Sequence, residues 1–131
     1  MPAIVAAGGD RAARRFLEFF AVTIDNKNTR AAYFHACRRF FAWCDRREDI
    51  EELVDIEPMH VAAYIRGLGK DFEKPTVKQH LAAIRMLFDW LIVGQIFAGP
   101  NPAAAVRGPK HVVKKGKTSV LDGDEAKKLL D

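Results

Sequence analysis

The sequence has little cysteine and no long hydrophobic run. Its 131 residues include only Cys37 and Cys44, which would lie about 10.5 Å apart along one helix, too far for a disulfide. We therefore expect two buried free thiols in a reducing, cytoplasmic environment. No apolar stretch approaches the roughly 18–20 residues that cross a bilayer, so no membrane partner is expected. Residues 1–9 are small and apolar without a basic segment, which predicts a disordered N-terminus rather than a signal peptide.

The motifs of the common enzyme classes are also missing. There is no Walker loop, no dinucleotide-binding glycine pattern, no nucleophile elbow and no HExxH sequence. The histidines fall on separate elements without the spacing of metal ligands. The acidic stretch 48–57 lacks the glycine and the regular spacing of a calcium loop. We therefore expect no catalytic residue, no metal site, no cofactor and no enzymatic activity in this chain.

The composition that is present is typical of a soluble helical domain. Hydrophobic residues make up 49% and charged residues 29%, the balance of a globular chain rather than a disordered one. Apolar residues recur with the period of amphipathic helices, and nothing alternates convincingly with period two. Helices are predicted over about 10–24, 29–47, 58–69 and 75–94. The sequence therefore predicts an all-α fold, a compact bundle of four helices joined by short loops.

Basic residues are concentrated on two of these helices and in the segment that follows them. The net charge of +4 permits a nucleic-acid partner without requiring one. Arg30 and Arg38 fall near one face of the second helix, and Lys78 and Arg85 share a face of the fourth, beside Gln79. Such faces suit phosphate contacts, and an Asn or Gln at a helix start reaches base edges. Solvated faces are the alternative interpretation.

The segment 107–119 strengthens the case for DNA. It holds five bases and no acid, together with two glycines and a proline, a composition typical of a linker that can track a phosphate backbone. After it, residues 120–131 are expected to begin a further helix that the chain leaves unfinished.

The run 75–91 closely resembles the last helix of the core-binding domain of tyrosine recombinases of the phage-integrase type. In that family a Thr-Val pair opens the helix, and a Gly-x-Ile turn and an Asn-Pro pair follow it, here at 94–96 and 101–102. Residues 28–33, with the later Phe40 and Trp43, are similar to the second helix of the family. Further matches lie at the exit to the interdomain linker and at the opening of the catalytic domain, residues 106–110 and 118–130.

The resemblance implies a SAM-like domain of two crossed helical hairpins that forms half of a clamp around DNA. It assigns residues 10–106 to the core-binding domain, 107–119 to the interdomain linker and 120–131 to the start of a truncated catalytic domain. The second and fourth helices would lie against the major groove. Together with Arg38, which the charge pattern adds, the expected DNA-binding residues are Lys27, Asn28, Thr29, Arg30, Thr76, Lys78, Gln79, Arg85, Lys110, Lys114, Lys115 and Lys117.

The implied partners are double-stranded DNA, the missing catalytic domain, and further copies of the full-length protein on DNA. The complete enzyme would break and rejoin DNA through a covalent tyrosyl intermediate. Tyr33 and Tyr64 lie on apolar stripes, so no strand cleavage is expected from this chain. Two alternatives stay open: a helical protein-interaction module with acidic partners, and a stand-alone small DNA-binding regulator. The second predicts a gene that ends near Asp131, whereas the main interpretation predicts a further ~150–200 residues.

Overall fold

The computed structural model describes residues 1–109, and in that range the chain forms helices and turns without a strand. The all-α prediction is confirmed. There are five α-helices in the described range, together with a π-helical turn at Phe19–Thr23 and a short 3-10 turn at Leu53–Asp55. The α-helices are α1 (Ala3–Ala6), α2 (Asp10–Glu18), α3 (Lys27–Asp45), α4 (Pro58–Leu68) and α5 (Lys74–Val93). The expected linker beyond Pro109 and the expected helix start at 120–131 lie outside the described residues.

The N-terminus departs from the prediction. Residues 1–9 were expected to be disordered, but they include α1, which packs against α2 and α3. Ile4 and Val5 are only 4% and 1% exposed. Fully burying an aliphatic side chain of this size contributes about 1.5–3 kcal/mol, and two of them offset a large part of the entropy cost of ordering one helical turn. The structure therefore has a helix in the segment for which the sequence analysis expected none.

The helix boundaries follow local signals in the sequence. Asn26 caps α3, since its side chain accepts a hydrogen bond from the Thr29 N–H at 3.0 Å. Pro58 occupies the first turn of α4 and Pro75 that of α5, where the missing N–H costs nothing. The first predicted helix is less regular than expected, because α2 passes into the π-helical turn before the chain extends at Ile24.

Aromatic residues of α2, its π-helical turn, α3 and α5 meet within a core that also holds many aliphatic side chains. Phe16 lies 6.0 Å from Phe41 and Phe20 lies 5.1 Å from Phe34, ring centre to ring centre, so α2 and its π-helical turn run antiparallel to α3. Phe88 of α5 packs on Phe41 at 6.2 Å. These contacts make α3 the central helix, with α2 and α5 both packed on it.

Both cysteines are free and buried in this core. Burial raises the pKa of both thiols, that of Cys44 to about 12, because a thiolate loses its hydration there. Both are therefore protonated at neutral pH. The prediction of buried free thiols is confirmed.

Candidate nucleic-acid interface

The start of α3 presents several of the residues that the sequence selected. Lys27 and Asn28 are exposed and Thr29 is half-buried, on the first turn after the Asn26 cap. Two turns further along the helix, Arg38 is exposed, with its guanidinium 5.7 Å above the Phe34 ring. Lys27 and Arg38 thus hold their charges in solvent, where a phosphate can reach them.

Arg30 is placed differently from Lys27 and Arg38. Its Nε donates to the carbonyl of Phe20 at 2.9 Å, and its Nη2 donates to that of Ile24 at 2.9 Å. Carbonyls at the end of a helix have no partner within the helix, and the Arg30 guanidinium supplies one. The structure therefore places this side chain across the end of the π-helical turn. Its contact with DNA stays a prediction from the sequence, and these hydrogen bonds favour a structural role instead.

The start of α5 presents a second exposed polar group. Lys78 and Gln79 are exposed, and Thr76 is half-buried. Arg85, expected on the same open face as Lys78, is half-buried instead: its Nε donates to the carbonyl of Ala103 at 3.0 Å, and its Nη2 donates to that of Val106. Its contact with DNA also stays a prediction. The remaining expected residues, Lys110, Lys114, Lys115 and Lys117, lie outside the described part of the chain.

A cluster between α3 and α5 brings the two helices together beside these groups. The rings of His35 and His80 meet edge to face at 6.4 Å, and Phe72 stacks on His80 at 5.9 Å. The Arg39 guanidinium lies 4.9 Å above the Phe72 ring. The cluster therefore packs α3 against α5 next to the exposed Arg38 and Gln79 in the sequence. The sequence analysis missed it, because the contacts join residues that are far apart in the chain.

Comparison with protein-family models matches residues 12–96 to the phage integrase N-terminal SAM-like domain. The match spans more than half of the chain, from within α2 to just beyond the end of α5. The chain belongs to this family. The resemblance seen in the sequence is therefore confirmed at the level of the family. Neither the curated proteins nor the solved structures give a significant match to the chain.

The acidic stretch 48–57 of this integrase domain, which we call the acidic connector, holds α4 in place. Asp49 accepts from Arg47 Nε at 3.0 Å and lies 2.8 Å from His60 Nε2, while His60 Nδ1 accepts from the Glu57 N–H at 2.9 Å. The hydrogen bonds from Arg47 and then His60 lower the pKa of Asp49 to about 2.

Residues 1–109 hold no group of three or more metal-ligating side chains, and no helix among them is long and apolar enough to cross a membrane.

The buried His80 of the integrase domain predicts a pH-dependent stability. Burial, followed by the nearby His35 and Arg39, lowers its pKa below the usual 6.5, so the unfolded chain takes up a proton before the folded one. The free energy of unfolding should thus be full above about pH 6.5 and should fall as pH drops through the lowered pKa. Urea unfolding between pH 7.5 and 5 measures this, and His80→Gln should reduce the fall. An equal fall in both proteins would contradict the prediction.

Proposed function

We propose that this domain binds double-stranded DNA at a recombination site, as the DNA-gripping part of a tyrosine recombinase. The observation that carries the proposal is that α3 and α5 pack together at the His35–His80 contact and that each of them carries exposed cations and amides, in a member of the phage integrase family. Two helices that present cations and amides side by side can follow both a groove and its phosphates.

The residues divide into three chemical roles in this proposal. Lys27, Arg38 and Lys78 contact phosphates, because their charges are exposed at the ends of flexible side chains. Asn28 and Gln79 reach base edges, where an amide pairs with adenine in two hydrogen bonds. Thr29 and Thr76, both half-buried, contact the backbone from the first turns of their helices. The lysines that follow in the sequence, Lys110, Lys114, Lys115 and Lys117, extend the phosphate contacts between domains.

Strand cleavage belongs, in this proposal, to a catalytic domain that follows in the full-length protein. Tyr64 is 4% exposed and packs against Phe40 and Trp43 at 5.1 and 5.5 Å, and Tyr33 is half-buried against the same core. The buried Tyr64 hydroxyl supports this assignment. The full-length protein would assemble with copies of itself on DNA.

Fluorescence anisotropy with a labelled duplex of mixed sequence tests the proposal. If the domain makes six to ten phosphate contacts, its affinity should fall by a factor on the order of 10³–10⁵ between 50 and 200 mM salt. Fewer contacts would give a smaller slope of log affinity against log salt. Lys78→Gln should weaken binding severalfold and reduce the slope of log affinity against log salt by about 1. The control Glu51→Gln changes an exposed side chain of the acidic connector and should leave the slope unchanged. Absence of binding at low salt would refute the proposal.

A further inference from the structure

Two polar side chains hold the segment after α5 against that helix. Besides the two bonds from Arg85, the Asn101 Nδ2 donates to the Arg85 carbonyl at 2.9 Å and to Asp89 Oδ1 at 2.8 Å. The Asn101 Oδ1 accepts from the Ala103 N–H at 2.8 Å. Arg85 and Asn101 thus tie the segment to α5 from both sides, and we refer to the two residues as the clasp.

The clasp determines where the chain leaves the domain. Beyond it, Ala103 and Val106 are buried, and the chain turns back along α5 towards its start. Gly108 then lies against Lys78 and Leu81, since a Cβ there would be 3.5 Å from a side-chain carbon of each. The described chain therefore ends beside Lys78, one of the proposed phosphate contacts.

We infer that Arg85 and Asn101 are positioning residues that fix the start of the basic linker beside the DNA-binding face of α5. The inference rests on the proposed DNA-binding function. The linker that carries the next four lysines would then start close to a phosphate that Lys78 contacts. Once Lys78 has bound DNA, a contact from a linker lysine depends on the effective concentration of phosphate at the start of the linker. The clasp would keep that effective concentration high.

The alternative is that Arg85 contacts phosphate itself. The two explanations differ first for Asn101. Its side chain carries no charge, so a loss of affinity when it is removed would come from lost positioning of the segment and not from a lost ionic contact with phosphate. They also differ for Arg85→Lys. That change keeps the charge but leaves one ammonium in place of a guanidinium that reaches two carbonyls. A positioning role predicts a loss for both changes, whereas a direct phosphate role predicts little loss for either.

A double-mutant cycle in the full 131-residue chain tests the inference. Asn101→Ala and Arg85→Lys are each made in the natural linker and in a linker neutralised by changing Lys110, Lys114, Lys115 and Lys117 to Gln. Affinity for the labelled duplex is measured at low salt. In the natural linker each change should weaken binding about three- to tenfold, and in the neutral linker less than about twofold, a coupling of the usual size for linked sites. The salt slope should fall only where the natural linker is present.

The matched control is Asp55→Asn, which loosens a different loop. Asp55 accepts from the backbone N–H groups of Glu51 and Glu52 at 3.0 and 2.9 Å, on the acidic connector. Its change of charge acts equally in both linker backgrounds and cancels in the cycle, so no coupling is expected. Circular dichroism reports whether Asn101→Ala keeps its helices, and Arg85→Lys carries the test if it does not.

The outcomes separate the inference from the function on which it rests. If the unchanged chain does not bind the duplex, the proposed function fails and the inference fails with it. If the chain binds and the losses are equal in both linker backgrounds, the function stands and the positioning role is overturned. Losses confined to the natural linker support the positioning role.

Discussion

Replacing Trp90 with alanine is expected to lower the free energy of unfolding by about 3 kcal/mol, the usual cost of removing a large packed aromatic side chain. Trp90 joins the end of α5 to α2 in two ways. Its Nε1 donates to the Arg15 carbonyl at 2.8 Å, and its ring lies 3.5 Å below the Arg15 guanidinium. That guanidinium in turn donates to the Trp90 carbonyl at 3.0 and 3.1 Å. Removing the ring opens a cavity and ends both interactions of the side chain.

Urea unfolding followed by circular dichroism measures this effect. Trp90→Phe keeps an aromatic ring but loses the indole N–H, and should cost about 1 kcal/mol, the net value of one hydrogen bond. The matched control is Trp43→Phe at the other tryptophan, which is also half-buried and stacks on Phe40 at 6.2 Å. A smaller loss for Trp90→Phe than for Trp43→Phe would show that the bond to Arg15 contributes little.

The contact between α2 and α5 also involves Gly94, which the sequence analysis placed at the end of a predicted helix and in the Gly-x-Ile turn. The Gly94 carbonyl accepts from Arg11 at 2.9 Å, and a Cβ at this position would collide with the Arg15 side chain. The backbone angles of Gly94 are open to other residues, so conformational freedom is not what requires glycine here. A side chain here would displace the guanidinium of Arg15, which lies nearly eighty residues earlier in the chain.

The helices could be predicted because their signals are local. The helix α4 was expected to begin at Pro58, and it does so in the structure. The ends of α3 and α5 differ from the predicted ends by one or two residues. Proline in the first turn and apolar periodicity depend on neighbours within a few residues, and so they are readable in the sequence. The fold of α1 was missed because its stability comes from packing on α2 and α3, which no local pattern shows.

The candidate site was predictable in composition but not in the role of each arginine. Arg30, Arg38 and Arg85 all lie on predicted helix faces with suitable spacing. In the structure Arg38 is exposed, whereas Arg30 and Arg85 donate to backbone carbonyls. The partners of Arg85 are 18 and 21 residues away, in a segment whose path the sequence does not define. Helical spacing predicts on which face of a helix a side chain lies. It does not predict which hydrogen-bond acceptors other parts of the fold bring to that face.

This difference in role leads to a contrast between two cations at the start of α3. Arg30→Ala is expected to lower the free energy of unfolding by about 2 kcal/mol, because hydrogen bonds from a charged donor contribute more than neutral ones and two carbonyls lose their partner. Lys27→Ala removes an exposed side chain and should change stability by less than about 0.5 kcal/mol. Urea unfolding of the two variants beside the unchanged chain measures both values.

The same pair of variants separates a structural arginine from one that contacts DNA. Lys27→Ala should weaken binding to the labelled duplex and reduce the salt slope by about 1, since one phosphate contact is lost. Arg30→Ala, measured where it is still folded, should keep the slope of the unchanged chain, because its guanidinium is held by Phe20 and Ile24. Arg30→Lys keeps the charge and should still lose stability, as one ammonium does not reproduce the forked contact. If Arg30→Ala is as stable as the unchanged chain but has a smaller salt slope, then this guanidinium leaves its carbonyls to bind phosphate.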